Sequence, residues 1–192
     1  MRTLAKILAV SAVMIAAPAV QAADVYAGGA IPENYSFQVT GDITDGPVTA
    51  QYGRTGIAAG LFSDNFIFLI DQNGFGSGSI STILSGLVGA ATDLDFTTVT
   101  FSNGTESFNV PITSAGGLET GGLSGVPISF GATNTLSVSG TSYGSASYGG
   151  TLSFSPGPIP EPASWAMMLI GFGAVGSIVR RRRDDNVKVR YA

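Results

Sequence analysis

The chain has 192 residues, with nine Lys and Arg against thirteen Asp and Glu, no Cys and no His. This excludes a disulfide framework, a thiolate nucleophile and Cys-ligated zinc or iron–sulfur centres, and it removes the commonest general base and transition-metal ligand. A formal charge of −4 argues against a nucleic-acid partner, and 27 Gly with only 11% charged residues favours a turn-rich all-β chain over a helical one.

The amino end reads as an export signal. Arg2 and Lys6 precede an eleven-residue apolar run, Ile7 to Ala17, which Pro18 ends. Val20 and Ala22 occupy the two positions that a signal peptidase reads, so cleavage is expected after Ala22. At about 1.5 Å per residue the apolar run reaches only about half of a hydrocarbon core, too short for a retained anchor. Residues 1–22 are therefore expected to be a signal helix that is removed.

The exported domain is expected over residues 23–154. From residue 23 to 159 there are ten acidic residues against Arg54 as the single base, a net of about −9. Such a surface stays soluble and repels anionic polymers at low salt. Tyr35, Phe37 and Val39 alternate with polar residues, as half-buried strands do. Leu61 to Ile70 (LFSDNFIFLI) becomes apolar on both faces, the pattern of a buried interior strand. Ser79 to Val88 reads either as a strand pair or as a short helical turn. Asn103-Gly104 between TTVTFS and TESFNVPI predicts a two-residue hairpin turn pairing Phe101 with Glu106 and Val99 with Phe108. Val126, Ile128 and Phe130, then Leu136 and Val138, then Leu152 and Phe154 continue the alternation. The expectation is an antiparallel, jelly-roll-like β-sandwich of seven or eight strands.

Residues 155–162, containing SPGPIP, read as a stiff Pro-rich linker. Ala163 to Val179 is a seventeen-residue run without charge, followed by Arg180, Arg181, Arg182 and Arg183. As a helix it measures roughly 25 Å, the short end of spanning length, so a single transmembrane helix is expected over 163–179. Trp165 stands where an aromatic prefers the membrane boundary, and the arginines mark 180–192 as the cytoplasmic tail. An ordinary tail anchor accounts for the apolar run and the arginines. It does not account for Pro160-Glu161-Pro162 just outside, a tripeptide held extended by its prolines and well suited to a processing enzyme.

Pro160, Glu161, Pro162, Trp165, Ala166, the MMLIGFG run and the four arginines resemble, in order, the PEP-CTERM sorting signal of Gram-negative bacteria in its PEPxxWA form. The same tail also goes by the label ice-binding protein C-terminal domain, a name for a tail rather than an activity. The resemblance implies an inner-membrane-anchored precursor, removal of the helix by the membrane enzyme exosortase, and a role in surface or exopolysaccharide-matrix assembly. Phe62-Ser63-Asp64-Asn65-Phe66 is similar to the FxDxF motif of one family of PEP-CTERM proteins, with supporting stretches from Thr55 onward. That family implies a small exported β-rich protein without an assigned catalytic activity or established site residues.

Candidate chemistry inside the domain is sparse. Phe62, Asp64 and Phe66 fall on one strand face, where Asp64 is expected either to bond turn amides or to contact a sugar or calcium. Asp93 and Asp95 share a strand face about 7 Å apart, which suits a solvated strand end, a calcium site with Asp64 or Asp71, or a glycosidase pair. With no His and no Lys in the domain, its many serines lack a base. One T-x-T, Thr98 to Thr100, is too little for an ice-binding face. The sequence thus points to a non-enzymatic surface protein needing no cofactor and no metal, with signal peptidase and exosortase as processing partners. The alternative is a carbohydrate-binding module, calcium-dependent or not, in which Tyr143 and Tyr148 stack on sugar rings.

Overall fold

A computed structural model describes residues 20–42, 47–83, 88–157 and 162–184, with tail side chains described from 165 to 181. The signal residues 1–19 lie outside this set, as do Pro160 and Glu161. The described chain forms β1 (Gln21–Tyr26), β2 (Tyr35–Thr40), β3 (Val48–Ile57), β4 (Gly60–Leu69), β5 (Gly74–Thr82) and β6 (Leu94–Ser102). It continues with β7 (Ser107–Asn109), β8 (Ile112–Ala115), β9 (Leu118–Ile128), β10 (Thr133–Ser142), β11 (Ala146–Pro156) and the helix α1 (Pro162–Asp184). The strands make two sheets, β1-β4-β10-β6-β7 and β2-β3-β11-β5-β9-β8. The all-β sandwich is as expected, with more strands than the seven or eight read from the pattern. All pairings are antiparallel except β1 with β4.

Each sheet turns one face inward, and period-two alternation fills the space between them. Phe62, Phe66, Val99, Phe101, Leu136 and Val138 come from the first sheet, and Phe37, Tyr52, Ile80, Val126, Ile128, Tyr148 and Phe154 from the second. Leu61–Ile70 is an interior strand, as its pattern suggests, but only one of its faces is buried: Leu61 and Leu69 point to solvent. Phe62 lies across β10 at Gly140, where a Cβ would stand 2.9 Å from the Phe62 ring and 2.3 Å from Asp95 O. A glycine is what lets the ring sit there.

The hairpin at Asn103 has a different register from the expected one. Phe101 pairs with Phe108 and Ser102 with Ser107, leaving Asn103 to Glu106 as the loop. The reason is the Asn103 side chain, whose Oδ1 accepts from the N–H groups of Thr105 at 3.0 Å and Glu106 at 2.8 Å, while Nδ2 donates to Pro127 O. A two-residue type I′ turn requires positive φ at both central residues, and here only Gly104 adopts it, at 85°.

Two element ends move relative to expectation. β1 starts at Gln21, so the pairs Gln21↔Phe62 and Ala22↔Ser63 lie ahead of the expected cut after Ala22. β11 runs past residue 154, with Ser155 opposite Phe75 and Pro156 opposite Gly74, so the linker starts at Gly157. Ser79–Thr82 belong to β5, and the rest of the ambiguous stretch falls mostly outside the described residues.

The chain divides into two compact units, Met1–Pro156 and Gly157–Ala192. In the second, Pro162 opens α1, where its fixed φ suits the first turn and its missing N–H has no intrahelical partner to lose. Arginines close the helix at its carboxyl end, in favourable register with the macrodipole. Trp165, Met167, Leu169, Ile170, Phe172, Val175, Ile178 and Val179 are all exposed. Among the described residues no helix is long and apolar enough to cross a membrane. Residues 163–179 all lie within α1, and as a helix they rise about 25 Å, the short end of spanning length.

Candidate functional site

The FxDxF segment builds a buried polar centre between the sheets. β4 alternates, so Phe62, Asp64 and Phe66 all point inward, and Asp64 is 0% exposed. An unpaired carboxylate there is prohibitively costly. The opposite sheet supplies its partners. Tyr35 Oη of β2 donates to Asp64 Oδ1 at 2.8 Å, and Tyr148 Oη of β11 donates to Oδ2 at 2.8 Å. Arg54 Nη1 of β3 donates to Oδ1 at 2.9 Å and to Oδ2 at 3.2 Å. Each carboxylate oxygen thus accepts two hydrogen bonds, which fills the roughly four acceptor positions of an ionised carboxyl group. The other guanidinium nitrogen, Nη2, donates to Gln21 Oε1 at 3.1 Å, and the Arg54 guanidinium lies 4.9 Å from the Tyr35 ring centroid.

The two phenylalanines hold the tyrosines in place. Phe62 stacks on Tyr148 at 5.7 Å between centroids, and Phe66 meets Tyr148 edge-on at 6.5 Å and Tyr35 at 6.5 Å. Burial first, then the hydrogen bond and negative charge of Asp64, push the Tyr35 hydroxyl well above its ordinary value, with Arg54 opposing. Tyr148 is pushed up further, again by burial first and then by Asp64. Both remain protonated donors across the ordinary pH range.

This geometry corrects two expectations. Asp64 has side-chain partners from the opposite sheet rather than turn amides, and no open acceptor for a sugar or calcium. Tyr148 is 1% exposed and unavailable for sugar stacking. Tyr35 and Arg54 were missed as partners, although Arg54 stands out as the sole base among ten acids.

Asp93 and Asp95 also diverge. Asp93 precedes β6 and is buried, its carboxylate accepting from the N–H groups of Gly89 and Leu94, so it caps the turn before the strand. Asp95 is exposed and accepts from Tyr143 Oη at 2.9 Å. They do not share a solvent face, which removes the basis of the glycosidase pair. A third carboxylate stands near them. Glu119 of β9 is buried, accepts from Phe96 N–H, and its own N–H donates to Thr82 Oγ1. Burial raises the Glu119 pKa, Asp95 and Asp93 add to the rise, and the Phe96 N–H opposes it. Among the described residues no group of three or more His, Cys, Asp or Glu is placed to hold a metal ion.

The remaining candidates are the processing residues. Val20 is exposed and Ala22 lies on the exposed side of β1. Pro162 is helical rather than extended, while Trp165, Ala166, Arg180 and Arg181 are exposed on α1. Arg182 and Arg183 belong to the helix, with side chains outside the described set. Residues 158–183 match the family described as the PEP-CTERM protein-sorting motif. The chain carries a PEP-CTERM sorting tail. The match begins two residues after β11 ends and leaves the β domain outside it. No curated protein matches the chain. The PEP-CTERM tail implies an exported, membrane-anchored precursor that exosortase processes.

Proposed function

We propose that the chain is a non-enzymatic protein of the cell surface or extracellular matrix of a Gram-negative bacterium, delivered by its PEP-CTERM tail and associated with exopolysaccharide. Signal peptidase removes the leader, and exosortase then separates the domain from the tail at or near Pro160-Glu161-Pro162. The observation that carries this reading is the sorting motif at 158–183, immediately beyond a β domain whose last strand is complete at Pro156. The matrix role draws its support from the FxDxF resemblance and from the strongly acidic domain. Mass spectrometry of exported material tests it. Wild-type cells are expected to yield a carboxyl terminus close to residue 160, and cells lacking exosortase a chain that continues to Ala192. An intact terminus in wild-type material overturns the processing step.

One exposed feature favours a carbohydrate-binding reading. Tyr143 is 47% exposed and held by Asp95, an aromatic platform beside a carboxylate. Calorimetric titration with the organism's own exopolysaccharide, with and without calcium, separates binding lost in Tyr143→Ala from a purely structural role.

A further inference from the structure

A cavity of about 300 Å³ lies between the two sheets. Protein interiors pack to near-crystal density, and voids much larger than a water are few. About 10–15 Å³ of such volume suffices for one water, so this space is far beyond a packing defect. Val99, Phe101 and Leu136 of the first sheet face Ala50, Val126 and Ile128 of the second across it.

One wall of the space is glycine-rich β5. This strand sits inside its sheet, between β11 and β9, where the inward positions of a sandwich ordinarily carry large apolar side chains. Its inward positions are instead Gly74, Gly76 and Gly78 before Ile80, while Phe75 points out and is 56% exposed. Gly76 and Gly78 both line the cavity, and the side chains of Ile128 and Leu152 lean over them, 3.3 and 2.8 Å from where a Cβ would stand.

The lining also states what it will accept. It contains no Lys or Arg, and its one phenol, Tyr52, spends its hydroxyl on Ser79 O at 2.9 Å. Besides Asp71 and that phenol its polar side chains are serines, too few to pair the groups of a heavily hydroxylated guest, and an anionic guest finds no cation. At the rim Val39 and Leu69 are 54% and 63% exposed, giving an apolar entry, and Asp71 stands beside them. The Asp71 carboxylate suits a neutral hydroxyl head, which can donate to it, and opposes a carboxylate head, which cannot.

We propose that this cavity is a binding site for an uncharged single-chain amphiphile, a linear hydrocarbon with a hydroxyl-type head. The site lies in the β domain and is independent of the sorting tail.

The test uses the purified full chain with the uncharged dye N-phenyl-1-naphthylamine, displaced by dodecanol or by dodecanoate. Saturable displacement is expected, with dodecanol at least tenfold more effective. Filling the cavity with Ala50→Leu, which introduces only aliphatic atoms, is expected to weaken dye and dodecanol binding at least tenfold. Where a variant does not fold, the wild-type chain still decides the matter: saturable dodecanol binding to the native state raises its Tm. Absence of saturable displacement and of a Tm rise overturns the site. Undiminished binding in a folded, filled variant also overturns it, because the dye then sits on the apolar surface of α1. Equal displacement by dodecanoate overturns the assignment of an uncharged ligand.

Discussion

Two five- and three-residue motifs in this chain are built alike and end differently. In Phe62-Ser63-Asp64-Asn65-Phe66 a carboxylate is flanked by aromatics, and in Pro160-Glu161-Pro162 a carboxylate is flanked by prolines. The first is consumed by folding. Asp64 is wholly buried, and both of its oxygens are occupied by Tyr35, Arg54 and Tyr148. The second heads a separate unit whose described helical residues, from Trp165 to Arg181, are all exposed. A motif whose polar atoms are used up by the chain's own partners speaks only to the fold. The second belongs to no strand of the β domain, and the family match falls on that motif and not on the first.

The sharpest way to break this contrast is to remove Asp64. Asp64→Ala leaves the guanidinium of Arg54, 12% exposed, without its counter-charge and strips two buried tyrosine hydroxyls of their acceptor. Breaking a buried pair from one side costs about 3–5 kcal/mol, which for a domain of this size lowers Tm by about 10 °C or more. Thermal unfolding followed by circular dichroism checks it. A shift of a degree or two would mean that the centre is solvated and still open to a ligand.

A smaller effect distinguishes the other carboxylate cluster. Glu119 has a raised pKa in the fold, so the folded state holds its proton more tightly than the unfolded chain. Its contribution to stability is fully present below the unfolded value of about 4.3 and is lost as pH rises through the folded value. Glu119→Gln keeps an acceptor for Phe96 N–H without the charge. Between mildly acidic and neutral pH the wild-type domain is expected to lose stability relative to this variant, read as the difference between their urea midpoints at each pH. Parallel curves would show that Glu119 titrates as an ordinary surface acid.

The local parts of this picture were legible in the sequence and the long-range parts were not. The alternation of β4, the inward set Phe62-Asp64-Phe66 and the position of the Asn103 loop all follow from neighbouring residues. The strand count fell short at β1, β3 and β8, whose Ala, Gly, Gln, Ser and Thr residues carry little of the large-apolar alternation by which a strand is recognised. These segments are strands because their neighbours pair with them. The partners of Asp64 were illegible for a related reason. Tyr148 is 84 residues away, and only the sheet order brings β11 opposite β4. Tyr148 sits in a Gly-rich segment that reads as surface, yet β11 is an interior strand.

The smallest effect on stability is expected where the effect on fate is largest. Replacing Pro160 and Pro162 together by Ala touches no strand, since β11 ends at Pro156 and the tail is its own compact unit. Surface changes away from packed features stay within about 0.5 kcal/mol, so the domain's urea midpoint should not move measurably. Helix propensity rises at the head of α1, because proline is disfavoured everywhere but the first turn, and the residue before each proline is freed to become helical. The stop between strand and helix is thereby weakened, and with it the handle proposed for exosortase. Cells carrying this variant are expected to accumulate the tailed precursor while the domain remains as stable as wild type. A processed product with a normal terminus would show that the enzyme reads the helix or the arginines rather than the tripeptide. A loss of domain stability would show that the two units are not independent, and the contrast between the consumed motif and the free one would fall with it.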